Sequence, residues 1–244
     1  METLMVLALG FLIGMRHAVE ADHLAAVAAL ATRAHSLRET VKLGVSWGMG
    51  HTLTLFLLGS VVLFANTVVA ERFATWLEFI VGIMLLLLGL DVIRRMWCSG
   101  VHFHVHEHGD GVRHFHAHAH EGKLPHDADP HEHEHRSLAL SLRNLLAPRA
   151  LLVGMVHGMA GTAALVLLTL QTLSDVWLGL VYILVFGAGS IIGMGAVSAI
   201  IAMPMRAAGH RMTRWNAALQ YGVGAFTAGL GLFIIAELAP QVLA

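Results

Sequence analysis

The segment Arg16-His17-Ala18-Val19-Glu20-Ala21-Asp22-His23 places five ionisable side chains within eight positions, in the middle of an apolar run over residues 4–31. That run is long enough to cross the hydrocarbon core of a bilayer, which takes about 20 helical residues. Each ionisable group at such depth costs roughly 2.5–3.5 kcal/mol on insertion scales. A cluster of this size cannot face lipid; it must face protein, water or an ion. The segment therefore predicts a membrane helix built around a polar site, and the rest of the chain is read outward from it.

The composition agrees. The 244 residues are 57% hydrophobic and only 13% charged, whereas soluble domains carry about a quarter charged residues. Net charge is near zero, so nucleic acid is not an expected partner. Cys98 is the single cysteine, which excludes an internal disulfide and Cys-rich metal sites within one chain. No phosphate-binding G-x-x-x-x-G-K-[ST] loop, H-E-x-x-H motif or nucleophile constellation is present, so an enzyme is not expected. The first apolar run lacks a basic leader and has charges at its centre, so a cleaved signal peptide is not expected either.

Six stretches have spanning length: 4–31, 41–65, 73–95, 147–172, 176–203 and 215–238. Thirteen of the 15 Lys and Arg fall in or beside the first, third and fifth connections, with only Arg72 opposite and Arg16 inside a helix. By the positive-inside rule those connections are cytoplasmic and both termini lie outside. The expected location is the bacterial inner membrane, with the bilayer as a partner.

The two halves align on each other at an offset of about 140 residues. Gly14-Met15-Arg16-His17 lies over Gly154-Met155-Val156-His157, and Trp47-Gly48-Met49-Gly50 over Phe186-Gly187-Ala188-Gly189. In the third pair, Gly82 lies over Gly222 and Gly89-Leu90 over Gly229-Leu230. Three helices per half is an odd number, so the halves enter the membrane from opposite sides. The expected fold class is all-α: six transmembrane helices as two inverted three-helix repeats, residues 1–95 and 147–244, joined by a His-rich cytoplasmic loop at 96–146 expected to lack regular structure.

On an ideal helix at about 100° per residue, His17, Glu20 and His23 share one stripe, whereas Asp22 falls well off it. Either Asp22 reaches a neighbouring helix, or the helix is distorted so that His17, Asp22 and His23 converge, which is the reading favoured here. A competing reading is a polar network that only ties helices together. Two His and two carboxylates in one segment favour an ion pathway instead. Partners come from other spans: His51, with Ser46 and Thr52 as pathway candidates, and His157 at the repeat position of His17, with Thr162 beyond. Arg16 and Glu20 would set local charge or carry a coupled proton. Imidazole mixed with carboxylate suits nickel, cobalt, zinc, copper or iron rather than magnesium or calcium.

The polar insert holds His102, His104, His106, His108, His114, His116, His118, His120, His126, His131, His133 and His135. Its composition speaks for low-specificity metal collection, with a pH-responsive linker as the bland alternative.

These residues resemble the nickel/cobalt transporter family and its shorter relatives among the urease accessory membrane proteins. The family's Arg-His-Ala-x-Asp-Ala-Asp-His segment is matched by residues 16–23 with Glu20 for the first Asp, and its Gly-His-Ser element by Gly50-His51-Thr52. The later Asp-Thr-Ala-Thr-Glu segment is present only as Gly161-Thr162-Ala163-Ala164-Leu165. The resemblance implies that His17, Asp22, His23 and His51 take part in metal selection, and that the cargo is nickel or cobalt rather than a prosthetic group. The Asp22-His23 pair points to uptake. Six spans with a His-rich loop after the third is the efflux layout, the alternative direction. Membrane-anchored metal storage or sensing is the third reading. Cytoplasmic metal chaperones are expected partners.

Overall fold

The computed structural model describes residues 2–34, 36–65, 71–98, 102–107, 113–118, 147–159, 175–209 and 213–243. These form helices α1 (Glu2–His17), α2 (Ala21–Ala31), α3 (Leu37–Ala65) and α4 (Glu71–Cys98), then strands β1 (His102–Glu107) and β2 (Arg113–His118). Helices α5 (Pro148–Gly158), α6 (Val176–Gly209) and α7 (Thr213–Leu243) follow.

Local chemistry sets several boundaries. Ser36 Oγ accepts the Glu39 N–H at 3.1 Å, so α3 begins four residues before its apolar run. Pro148 occupies the first turn of α5, where its missing N–H costs nothing. Asp175 caps α6 by accepting the Trp177 N–H at 2.9 Å.

By length and composition, Leu37–Ala65, Arg72–Cys98, Val176–Met203 and Ala217–Leu243 can each cross a membrane. The predicted first span is not one straight helix: Thr3–His17 and Ala21–Ala31 pass the same test together but are bent by 55° at their junction. Of the predicted fourth span, Pro148–Gly158 is helical and most of the remainder lies outside the described residues. Large apolar side chains such as Leu12, Val61, Leu87, Leu184 and Phe233 lie exposed along these helices, as expected where the surroundings are lipid.

α2 sits innermost, against α3, α4, α6 and α7, and its buried face is mostly alanine: Ala25, Ala26, Ala29 and Ala31. Thr227 of α7 donates to Ala25 O at 3.2 Å and fixes that contact. Elsewhere glycine permits backbone to meet backbone, and the contacts are reciprocal. A Cβ on Gly14 would lie 2.1 Å from Phe186 O, and one on Gly154 would lie 2.0 Å from Trp47 O. Gly50 stands in the same relation to Leu151 O at 2.1 Å as Gly189 to Phe11 O at 2.2 Å. These four glycines are the ones paired by the sequence offset. In α4 and α7 the close approaches join Gly82 to Gly231 and Gly89 to Gly224, whereas Gly222 and Gly229 meet nothing within 4 Å. The third-helix match is thus displaced by two residues, with Gly82 answering to Gly224 and Gly89 to Gly231.

The insert differs from the expectation of a chain without regular structure. β1 and β2 pair antiparallel, with His102, His104 and His106 opposite His118, His116 and His114. Alternation of His with Phe103, Val105, Phe115 and Ala117 is the two-residue period of a strand. His108, His120, His126, His131, His133 and His135 lie outside the described residues.

Candidate metal centre

α1 stops at His17 because the next turn tightens. Val19 N–H bonds Arg16 O at 3.0 Å and Glu20 N–H bonds His17 O at 3.1 Å, three residues back rather than four. Glu20 is then extended, with φ −64° and ψ 151°, and α2 starts at Ala21. The break resolves the angular conflict in the sequence: the bend swings Asp22, in the first turn of α2, toward the histidines. α5 likewise ends one residue after His157. Two helix C-termini, with their partial negative charge, therefore end at one place, which favours a cation there.

Four imidazoles converge and are buried: His17, His23, His51 and His157. Ring centroids of His23 lie 4.1 Å from His17, 5.3 Å from His51 and 4.3 Å from His157. Carboxylates hold three of the rings from behind. Asp22 Oδ1 lies 2.8 Å from His23 Nδ1, Asp22 Oδ2 lies 3.0 Å from His157 Nε2, and Glu20 lies 3.1 Å from His17 Nδ1. A carboxylate only accepts, so each facing nitrogen carries the proton and the opposite nitrogen keeps its lone pair.

Those opposite nitrogens, His17 Nε2, His23 Nε2 and His157 Nδ1, are buried without a hydrogen-bond partner, as is His51 Nδ1. Each buried unsatisfied polar atom costs roughly 1–3 kcal/mol. Four together rival the whole stability of an ordinary domain, about 5–15 kcal/mol. Lone pairs buried in this way are the kind a bound cation could use. Two groups of donors come within 4.8 Å of one another and could hold a metal ion: His17, His23 and His51; and Asp22, His23 and His157.

The other predicted residues divide. Glu20 belongs to the cluster through His17. Arg16 does not: it is exposed at the end of α1 and, among the described residues, pairs with no carboxylate, because Glu20 and Asp22 face histidines. Ser46 accepts the Ala147 N–H at 2.9 Å and so anchors the start of α5. Thr52 lies 3.4 Å from Gly187 O, at the seam of α3 and α6. Thr162 lies outside the described residues.

Two walls escaped the sequence reading. Trp47 stacks edge-on against His23 and His157, with centroids 5.1 and 5.2 Å away, and Phe186 lies 5.5 Å from His17. A signal was present, since the sequence offset lays Trp47 over Phe186 as it lays His17 over His157.

Helices of spanning length around a buried imidazole–carboxylate cluster define a polytopic membrane protein with a candidate metal site at its helix breaks. The chain is 31% identical over 219 residues to the urease accessory protein UreH of Bacillus sp. (strain TB-90), covering 90% of this chain and 86% of that one. It belongs to the UreH family, the group of short relatives that residues 16–23 resemble. It is also 26% identical over 228 residues to the chloroplast protein FOR GROWTH AND FERTILITY 1 of Arabidopsis thaliana, of which it spans 57%. No family model and no solved structure matches the chain.

Proposed function

We propose that this protein carries a divalent transition metal, nickel or cobalt, across the bacterial inner membrane in the direction of uptake, binding it at His17, Asp22, His23, His51 and His157. The observation that carries this reading is the set of four buried, unpartnered imidazole nitrogens, three of them on rings backed by carboxylates. Imidazole with carboxylate and no thiolate matches the donor preference of nickel and cobalt. Kinship with a urease accessory protein and the resemblance to nickel/cobalt transporters support that choice of ion.

The scaffold is read as six spans in two inverted repeats with both termini outside. Reciprocal contacts at Gly14 and Gly154, and at Gly50 and Gly189, support a pseudo-two-fold relation that exchanges α1 with α5 and α3 with α6. Its axis would pass near the histidines, where inverted-repeat transporters bind their cargo. The insert gathers metal on the cytoplasmic side. In the paired register, six of its histidines stand opposite one another in three pairs.

Proteoliposomes loaded with a metal-quenched dye test the proposal. Wild-type protein quenches the dye on addition of nickel or cobalt, and His51→Ala slows quenching at least about tenfold, the usual effect of losing a ligand or its support. Equal rates for wild type, His51→Ala and empty vesicles would exclude metal transport.

A further inference from the structure

The two donor groups share one residue. His17, His23 and His51 form one set, Asp22, His23 and His157 the other, and His23 stands in both. The two edges of that ring differ: Nε2 of His23 is the unpartnered nitrogen, whereas Nδ1 faces Asp22 at 2.8 Å. The first set comes wholly from α1, α2 and α3. The second joins α2 to α5, on the far side of the insert, with Trp47 against both His23 and His157. The two sets therefore straddle the contact between the halves of the chain.

We propose that the site, read as in the preceding section, is two stations sharing the His23 ring, and that the ion is handed from one edge of that imidazole to the other. At the first station the ligands are Nε2 of His17, Nε2 of His23 and Nδ1 of His51. On transfer those three bonds break, and bonds to an Asp22 oxygen, Nδ1 of His23 and Nε2 of His157 form. The proton on His23 Nδ1 moves to Nε2, and the proton on His157 Nε2 moves to its unpartnered Nδ1. Both rings stay neutral, so the transfer needs no net uptake or loss of protons. Because both stations need His23, they fill one at a time, which gives the alternation a carrier requires.

Cobalt is the probe, since its visible absorption reports the number and kind of its ligands. Full-length protein in detergent is titrated with cobalt as wild type, His17→Asn, His157→Asn and His23→Asn. The insert contributes the same background to each, so differences report the buried site. The expected result is one fewer ion bound in His23→Asn than in wild type. His17→Asn and His157→Asn each keep that ion, with spectra that differ from one another, while both lose transport at least about tenfold. Where an Asn variant fails to fold, as judged by gel filtration, the Gln variant at the same position takes its place. Loss of the ion in His157→Asn as complete as in His23→Asn, or two buried ions in wild type, would overturn the shared-ring hand-off while leaving a single metal site. Undiminished cobalt binding and transport by His23→Asn would overturn the metal-site reading itself.

Discussion

Asp22 Oδ1 lies 2.8 Å from Nδ1 of His23, so one carboxylate decides which nitrogen of the central ring is free. The same carboxylate reaches His157 Nε2 at 3.0 Å through its other oxygen. An acid in the first turn of α2 thus orients two rings from different halves of the chain, and it gets there only because the first helix breaks at residues 18–20.

Asp22→Asn preserves shape but turns one of the two acceptor oxygens into an NH2 donor, so His23 and His157 can no longer both donate to it. Nickel affinity, measured by calorimetry on the purified protein, is expected to fall at least about 10-fold with little change in thermal stability, since Asp22 both orients the rings and contributes a ligand oxygen. Unchanged affinity would show that the carboxylate does not orient the rings toward metal.

Gly154→Val forces a side chain into the carbonyl of Trp47, and Gly14→Val into that of Phe186. Neither neighbour is a side chain that can rotate away, so the helices must separate, and losses above about 3 kcal/mol are expected. Gly229→Ala meets nothing within 4 Å and is the neutral control. Yield and melting temperature in detergent read out all three.

Asp91 pairs with Arg33 from the loop after α2 and, at 3.0 Å, with Arg95 of its own helix, while Arg95 donates to Thr32. The groups are more than a third exposed or close to it, and such pairs contribute about 0–1 kcal/mol. Asp91→Asn should lower the melting temperature by no more than roughly 2–4 °C, with a smaller effect at high salt. A collapse in stability would reveal a closure between α2 and α4 that these exposures do not suggest.

Deleting residues 101–136 removes the twelve insert histidines without touching the buried cluster. Total nickel bound at saturation should fall, while flux in proteoliposomes is largely kept. Loss of nearly all bound nickel, with no flux in either protein, would favour storage or sensing over transport.

Much of the site was legible in residues 16–23, because charge inside an apolar run admits few bland explanations. The angular misfit of Asp22 pointed to a helix break or to a neighbouring helix, and Asp22 shows both, with the break at residues 18–20 and a contact to His157. The glycines that the offset pairs, Gly14 with Gly154 and Gly50 with Gly189, make matching close contacts. The offset slipped by two in α4 and α7, where glycines recur in leucine-rich sequence and nothing distinguishes one register from the next. Ser46 and Thr52, read as pathway candidates, meet neighbouring backbone: a hydroxyl in a membrane helix looks the same in sequence whether it meets an ion or a backbone. The hairpin was missed because histidine occupies the positions where a strand's polar alternation is usually more varied, so the alternation was taken for mere composition.

The central claim is that the buried histidines move metal inward, and radioactive nickel content over time tests it most directly, in cells expressing wild type, His17→Ala or empty vector. The account predicts accumulation above vector that disappears in His17→Ala. Depletion below vector, lost in the same variant, would reverse the direction to efflux, and equal content in all three would contradict nickel transport.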